Sequence, residues 1–339
     1  MKKAVITIKD VARLAGVGIG TASYALNGKG ASRVSEATRQ KVIAVAEKLH
    51  YKPNTFGRAL KMRSSRVVGV IVPTVIHSAI PLFIQGIQDE LTRVGYSSLF
   101  YTYANLHDLE AKCQNLLNWQ VEGIIFNPQD PARKPWLYEY LQKLAPTLPI
   151  VGGGGILQGF FPWVLVDGEK IGCIGTEYLL AKGHRRIALV NDFGDWRTRG
   201  YMQALKNAGI KPDYNYVYND YESMYDIQRG FLHWLESFPM EMRPTAVFCL
   251  NESMAARLMT QAIDRKYVLP KDLSFLATDL SELNDIMRPR ISTLAQPHYQ
   301  QGVEAVRLLM RILGGQKPEN VLLQPELVVK DSIFDLTQA

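Results

Sequence analysis

The sequence is poor in cysteine and lacks the common catalytic signatures, and both shortages exclude classes of protein. Only three cysteines occur among the 339 residues, and Cys113, Cys173 and Cys249 lie too far apart for a disulfide framework or a zinc site. None of the patterns HExxH, GxSxG, GxxxxGKS and GxxxxGKT is present, and the histidines are dispersed. We therefore predict no metal ion, no cofactor and no enzymatic activity.

The sequence also lacks a secretory signal and a continuous membrane span. Before Lys9 and Asp10 the chain offers only five apolar residues, fewer than the apolar core of a signal peptide requires. One run without a formal charge, residues 67–84, is 18 residues long. It contains Pro73 and Pro81, which suit a strand, a loop and a helix start better than one lipid-embedded helix. We predict a cytoplasmic protein that does not contact a membrane.

The basic residues are concentrated at the start of the chain. Residues 1–66 contain 14 lysines and arginines against Asp10, Glu36 and Glu47, a net charge of +11. Because the whole chain carries +7, residues 67–339 carry −4. A charge of +11 on so short a segment is too one-sided for an ordinary solvated surface, and it indicates a polyanion as partner.

This basic segment has the pattern of three helices. Thr7 can cap a first helix, with Asp10 at the acidic position of a capping box, and Gly16 ends it. After a short turn, residues 21–27 predict a second helix, and Ser35 can cap a third over residues 36–51. Two short helices around a glycine-containing turn, followed by a longer helix, predict a helix-turn-helix module whose second helix lies in the major groove of DNA.

Residues 7–61 resemble the DNA-binding headpiece and hinge of the LacI/GalR (lactose-repressor) family of bacterial transcription regulators. The matching segments, in chain order, are TIKDVARLAGV, TASYALN, RVSEATRQKV, LHYKPN and RALK. The resemblance extends more loosely across most of the remaining chain. It implies a sequence-specific transcription regulator that binds double-stranded DNA, acts as a repressor and is switched by a small molecule.

The resemblance also implies which headpiece residues contact DNA. In the family, bases are read from the positions that Ile19, Gly20 and Tyr24 occupy here. The residues expected to contact phosphates or to support the DNA-binding helices are Thr7, Thr21, Ser23, Asn27 and Asn54. This chain departs from the family pattern twice, because Gly18 replaces the usual serine or threonine cap and Gly20 has no side chain with which to read a base. We therefore expect Tyr24 to be the main reader, with Ile19 contacting a thymine methyl group.

The segment after the headpiece has the pattern of a short hinge helix. Residues 53–61 are too few for a stable isolated helix, and they include Gly57. In the resembling family this segment becomes helical on DNA and inserts a leucine into the minor groove. That role falls to Leu60 here, with Lys61 beside it. A plain linker is the alternative, since residues 63–66 read RSSR.

The rest of the chain alternates between strand-like and helical patterns. Strands are predicted at residues 67–73, 96–103, 121–126, 148–151, 163–166, 185–190, 245–250 and 273–277, and helices at residues 81–94, 108–119, 169–181, 197–208, 224–238 and 253–265. This alternation predicts parallel sheets covered on both faces, and over 260 residues exceed one core. The fold class is α/β: an all-α headpiece and hinge helix, then a body of two doubly wound subdomains that resembles a periplasmic sugar-binding protein.

Polar residues collect just after these strands, where doubly wound sheets bind their ligands. The resemblance implies effector contacts from Arg197, Tyr221, Asn251 and Asp279, to which Thr74 after the first strand is added. Such groups suit the hydroxyls and ring faces of a sugar or sugar phosphate acting as inducer, in keeping with a role in carbohydrate metabolism. Gly154 stands where the family often has an aspartate, so one ligand contact is lost or passes to backbone N–H groups. A helix cap or a surface polar residue is the alternative for each position.

The domain boundaries follow from these patterns and from the resemblance. We predict a headpiece at residues 1–52, a hinge and linker at 53–65 and a body at 66–339. Within the body, subdomain one comprises about 66–166 and 297–327, and subdomain two about 167–296 and 328–339. Because no leucine heptads follow the body, a homodimer on a pseudo-palindromic operator is favoured over a coiled-coil tetramer.

Overall fold

The computed structural model describes most of the chain. The described residues are 6–27, 33–51, 64–73, 79–103, 105–127, 135–146, 148–153, 161–191, 195–220, 227 and 230–338. The chain divides into two compact units, Met1–Ser65 and Arg66–Ala339. Among the described helices, none is both long and apolar enough to cross a membrane.

The described part of the first unit, the headpiece, contains three helices: α1 (Ile8–Ala15), α2 (Ile19–Asn27) and α3 (Glu36–Lys48). The helix α1 ends because Gly16 adopts the left-handed conformation (φ 65°), which glycine takes at little steric cost. The helix α3 begins where the Ser35 hydroxyl accepts a hydrogen bond from the Thr38 N–H (3.3 Å). The predicted order of helix, glycine turn and two further helices is confirmed, although α2 begins two residues earlier than its pattern indicated.

The core of the headpiece is made of small side chains. In the part of the headpiece that the structure describes, the buried hydrophobic residues are two valines and five alanines: Val11, Ala12, Ala15, Ala22, Ala25, Val42 and Ala46. Larger residues such as Ile8, Leu26 and Leu49 are only partly buried around them. Short side chains allow the three helices to approach one another closely.

The first sheet of the body is entirely parallel. Its strands are β1 (Val67–Pro73), β2 (Ser97–Tyr103), β3 (Gly123–Phe126), β4 (Ile150–Gly153), β5 (Trp163–Val166) and β11 (Val321–Leu323), in the spatial order β11-β5-β4-β3-β1-β2. The helices α4 (Ala79–Arg93) and α12 (His298–Leu313) cover one face, while α5 (Leu106–Asn118) and α6 (Pro135–Leu144) cover the other.

The second sheet has the same plan with one antiparallel edge. Its strands are β6 (Ile187–Val190), β7 (Val217–Tyr218), β8 (Ala246–Cys249), β9 (Ser274–Thr278), β10 (Ser292–Ala295) and β12 (Glu326–Val328), in the order β12-β10-β9-β8-β6-β7. Only β12 runs antiparallel to its neighbour. The helices α7 (Gly168–Ala181) and α8 (Trp196–Asn207) cover one face, and α9 (Phe231–Ser237) and α10 (Glu252–Asp264) cover the other, with a short α11 (Leu283–Ile286) near β10.

The chain passes between the two sheets three times: after β5, after β10, and between β11 and β12. The α/β class with two doubly wound subdomains is confirmed. The last passage lies at residues 324–325, a little before the predicted boundary after residue 327, because β12 already pairs with β10. Four short strands (β7, β10, β11 and β12) and the helices α6, α11 and α12 are present without having been predicted.

Paired glycines bring α7 and α8 into backbone contact. A Cβ atom on Gly172 would lie 2.1 Å from the carbonyl oxygen of Arg197, and one on Gly200 would lie 1.9 Å from that of Glu169. No side chain fits at either position. The approach fixes the first turn of α8, which carries Arg197, against α7.

Candidate functional site

The helix α2 has a buried side and an exposed side, and two of the predicted base readers lie on the exposed side. Ala22 and Ala25 are buried in the headpiece core, whereas Ile19 and Tyr24 are 48% and 44% exposed. Gly20 is exposed too, and a Cβ atom there would meet nothing within 4 Å. Packing therefore does not require glycine at this position, and the helix presents bare backbone next to Ile19.

Tyr24 is held by an arginine that sequence reasoning did not select. The Arg33 guanidinium donates a hydrogen bond to the Tyr24 hydroxyl (3.1 Å), and its central carbon lies 5.4 Å from the ring centroid. Because the hydroxyl oxygen accepts from Arg33, its own proton remains available for an acceptor on a base. In the sequence, Arg33 begins the matching segment RVSEATRQKV and stands two residues before Ser35, the cap of α3.

The other headpiece predictions fall into three groups. Thr7 has a structural role, because its N–H (3.0 Å) and hydroxyl (2.8 Å) both donate to the Asp10 carboxylate at the start of α1. Thr21 and Ser23 are half-buried on α2. The remaining positions, namely the side chain of Asn27 and all of Asn54, Leu60 and Lys61, lie outside the described residues.

In the body, polar side chains lie at the carboxyl ends of the strands of the second sheet. Arg197 follows β6, Asn251 follows β8 and Asp279 follows β9. The carbonyl oxygen of Leu250 accepts hydrogen bonds from the Arg197 guanidinium (3.4 Å) and from the Thr278 hydroxyl. The structure thus brings Arg197 next to the β9 end that carries Asp279. Thr74 and Tyr221 lie outside the described residues, as does Gly154.

Arg197 is paired with Asp195, which sequence reasoning did not select. The Asp195 carboxylate accepts from Nε (3.0 Å), Nη2 (2.8 Å) and the backbone N–H (2.7 Å) of Arg197. Burial acts to raise the pKa of the Asp195 carboxyl, but the charge and hydrogen bonds of Arg197 outweigh it and lower the pKa to about 2. The pair is therefore ionised at neutral pH.

Asp279 occupies an unusual backbone conformation. Its φ of 69° lies in the left-handed region, which aspartate tolerates better than most residues. Its carboxylate accepts hydrogen bonds from the Gln296 amide (2.6 Å) and the His298 imidazole (2.8 Å). Both partners follow β10, a strand that was not predicted, which is why neither was selected as a candidate.

His298 connects this carboxylate to the first sheet. Its second ring nitrogen lies 3.3 Å from the Gln301 side-chain oxygen, and the Gln301 amide donates to the carbonyl oxygen of Val164 in β5 (3.0 Å). Burial lowers the pKa of His298, but Asp279 and Gln301 more than compensate, so its pKa is raised above the usual value. A polar chain thus runs from the Asp279 carboxylate to the first subdomain.

Asn251 partly fits the alternative interpretation, in which a polar residue after a strand is a helix cap and not a ligand contact. Its side-chain oxygen caps α10 by accepting the Met254 N–H (2.8 Å), so this atom serves the helix start. Glu252, the next residue, is fully buried and was not among the predicted effector contacts. Among the described residues, one carboxylate follows each of β6, β8 and β9 (Asp195, Glu252 and Asp279), and each lies near Arg197 or His298.

Two families of known proteins match the chain. The family described as "Bacterial regulatory proteins, lacI family" matches residues 7–54, and the "Periplasmic binding protein-like domain" matches residues 176–333. The transcriptional repressor PurR of Vibrio atlanticus is 28% identical over 97% of this chain and 99% of its own length. The Ribose operon repressor of Haemophilus influenzae is 29% identical over 97% and 99%.

Among solved structures, too, the chain is similar to regulators of this kind. The Lac repressor dimer bound to operator and the anti-inducer ONPF has a TM-score of 0.82 at 25% identity, covering 97% of this chain and 99% of that one. The CelR–cellobiose complex has a TM-score of 0.69 at 26% identity, covering 96% and 99%. A helix-turn-helix headpiece joined to a periplasmic-binding-protein-like body defines a ligand-controlled transcription regulator, not an enzyme. The chain belongs to the LacI/GalR family of bacterial regulators.

Proposed function

We propose that this regulator binds a pseudo-palindromic operator as a homodimer and is released from it by a sugar or sugar phosphate held between the two body subdomains. The observation that carries the proposal is the exposed face of α2 in a strongly basic headpiece, with Ile19, bare backbone at Gly20, and Tyr24 oriented by Arg33. It acts where bacterial DNA is, in the cytoplasm.

On the DNA side, Tyr24 reads a base and Ile19 packs on a thymine methyl group. Thr21, Ser23 and Asn27 contact phosphates or support the helix, and Asn54 contributes from the segment after α3. Leu60 enters the minor groove beside Lys61 when the hinge orders on DNA. Dimerisation is supported by the Lac repressor structure, which is described as a dimer bound to operator.

On the ligand side, the polar strand ends of the second sheet support an effector site. Arg197, Asn251 and Asp279 contribute from subdomain two, together with Tyr221, while Thr74 contributes from subdomain one. A similar protein, CelR, has been solved in complex with cellobiose, which supports a sugar-like ligand. A ligand between the subdomains shifts the balance between two arrangements by its differential affinity for them.

The DNA assignment is tested by replacing the proposed reader. Tyr24→Ala should weaken operator binding by about 1–3 kcal/mol and leave binding to random DNA nearly unchanged. Fluorescence anisotropy with labelled operator and random duplexes measures both. The control is Tyr214→Ala, since this tyrosine is also exposed (60%) but lies in the body unit. Equal losses on operator and random DNA would show that Tyr24 does not read bases.

The ligand assignment is tested by a thermal-shift screen followed by operator binding. A ligand at 100 times its Kd adds about 2.7 kcal/mol to the stability of the native state, which such a screen detects. With the ligand found, Arg197→Ala and Asp279→Ala should abolish its effect on operator affinity and leave ligand-free operator binding within a few-fold of the parent. If both variants respond like the parent, the site is elsewhere.

A further inference from the structure

The cation at the proposed effector site is already neutralised by a neighbour in sequence. Asp195 and Arg197 form a two-point fork, in which Nε and Nη2 of the guanidinium each donate to a different carboxylate oxygen (3.0 and 2.8 Å). Such fork geometry is among the strongest ion-pair arrangements in proteins, and an anionic ligand seeks the same two donors. A phosphate would have to displace Asp195 to obtain them.

The fold holds Asp195 in this position independently of the ion pair. Asp195 is the N-cap of α8, and its carboxylate also accepts the backbone N–H of Arg197 (2.7 Å). The residue therefore cannot leave the fork without uncapping the helix. Asn191, at the end of β6, donates to the Thr198 hydroxyl (3.2 Å) and ties the same turn to the sheet. Both side chains of the pair are about three-quarters buried, with exposures of 24% and 23%, so solvent screens their attraction only in part.

The other charges near these strand ends do not favour an anion either. The His298 imidazole is paired with Asp279 (2.8 Å), and Glu252 is fully buried at the start of α10. Of the cations described at the ends of β6 and β10, Arg197 and His298 thus each contact a carboxylate. A phosphate would compete with these carboxylates for the same donors.

We infer that Asp195 determines the ligand class of the proposed effector site, by engaging Arg197 so that the site selects an uncharged polyhydroxylated ligand over its phosphorylated counterpart. Hydroxyl groups both donate and accept, so they bind beside an intact carboxylate–guanidinium pair. The inference rests on the proposed function, and it narrows "sugar or sugar phosphate" to the uncharged member.

The test uses Asp195→Asn in the full-length protein. Asparagine is as good an N-cap as aspartate, so the helix start is preserved while the negative charge is removed. The first probe is inorganic phosphate compared with chloride at equal ionic strength. We expect phosphate to raise the Tm of Asp195→Asn, and to leave the Tm of the parent unchanged.

The second probe is a set of sugars, each paired with its 6-phosphate, including glucose and cellobiose. The parent should bind the neutral member of a pair at least tenfold more tightly, and Asp195→Asn should lose or reverse this ratio. Asp195→Glu keeps the charge and should retain the parental ratio. So should Asp213→Asn, a matched control in which the aspartate caps the short 3-10 helix at Tyr214–Tyr216 without an arginine partner.

The outcomes distinguish a failure of this inference from a failure of the proposed sugar-effector function. A parent that prefers the phosphorylated member, or an Asp195→Asn variant with the parental ratio and no response to phosphate, overturns the role of Asp195 while leaving a sugar-responsive regulator intact. If no pair binds either protein and phosphate stabilises neither, the sugar-effector proposal is wrong and this inference is wrong with it.

Discussion

The headpiece and the body bury very different side chains. Among the described residues of the headpiece, the buried hydrophobic side chains are valines and alanines, whereas the body buries many aromatic and long aliphatic side chains almost completely, among them Phe83, Phe126, Phe231, Phe248 and Phe275. Because the stabilisation from burial scales with apolar area, the headpiece gains far less per residue. The described headpiece therefore has the weaker core of the two units, and we expect it to unfold more easily than the body.

The unfolding of the headpiece and the unfolding of the body can be measured separately. All five tryptophans belong to the body, namely Trp119, Trp136, Trp163, Trp196 and Trp234. Tryptophan fluorescence therefore reports unfolding of the body, and far-UV circular dichroism reports the helices of both units. We expect two transitions, the earlier one seen only by circular dichroism and shifted upward by operator DNA.

The largest effect is expected from a cavity in the body core. Phe248 is 1% exposed in β8, and its ring packs so closely on α7 that a Cβ atom on Gly175 would lie 2.5 Å away. Phe248→Ala should cost about 3–5 kcal/mol in the fluorescence transition and leave the headpiece transition in place. The exposed Met240→Ala is the control. A loss below about 1 kcal/mol would contradict a rigid, large-residue core.

A smaller effect is expected from the buried carboxylate that joins α4 to α12. Hydrogen bonds from Arg93 (2.6 Å) and Arg307 (2.9 Å) outweigh burial and lower the pKa of Glu90 to about 2. Its contribution is therefore complete above the ordinary pKa of 4.5 and is lost as the pH falls towards 2.

Accordingly, Glu90→Gln should lower the free energy of unfolding of the body by about 1–3 kcal/mol at pH 7, since both arginines are substantially exposed and screened. Urea titrations followed by tryptophan fluorescence should show the gap to the parent narrowing between pH 5 and pH 3. The same replacement at the exposed Glu110 should have little effect. A gap that is constant with pH would assign the loss to packing instead of charge.

In the headpiece, removal of two buried methyl groups should lower the stability of that unit alone. Val42 is fully buried in α3, and Val42→Ala should cost about 1–2 kcal/mol. The early circular-dichroism transition should move down, while the fluorescence transition stays unchanged. Leu14→Ala, at an exposed position of α1, serves as the control. If both transitions move together, the two units do not unfold separately.

The smallest effect is expected at Gly20. Its φ is not positive and a Cβ atom would meet nothing, so Gly20→Ala should stabilise α2 by up to about 1 kcal/mol. The early transition should rise by a few degrees in the absence of DNA. A lower transition temperature would mean that the position requires glycine for the fold itself.

The architecture could be predicted from the sequence because its main elements carry strong periodic signals. The buried strands β1, β3 and β8 are continuous apolar runs, and Gly16 and Ser35 mark helix ends by well-known conformational preferences. The strands β7, β11 and β12 have two or three residues, too few for a periodic pattern, and β10 reads STLA, which is not a continuous apolar run. The helix α12 begins at His298, and its N-cap residue Pro297 makes no side-chain hydrogen bond, so its start had no capping signal.

The candidate site could be predicted only in outline. Strand ends and the family resemblance selected Arg197, Asn251 and Asp279, but not what their side chains contact. The Asp195–Arg197 fork depends on how the α8 turn closes, and the Asp279–His298 pair depends on where β10 ends. Tertiary packing decides which acidic side chain pairs with which basic one. The residues next to each side chain in the sequence do not specify that pairing.

The discontinuous first subdomain has a consequence for synthesis on the ribosome. The valines and isoleucines that line one face of β1, β3, β4 and β5 are covered by α4 and by α12. Between Val166, the last residue of β5, and His298, the first residue of α12, lie 131 residues. At about 5–20 residues per second, the nascent chain carries that apolar face incompletely covered for roughly 7–26 s. Neither subdomain can be completed before nearly the whole chain has been translated, so the two mature together and not one after the other.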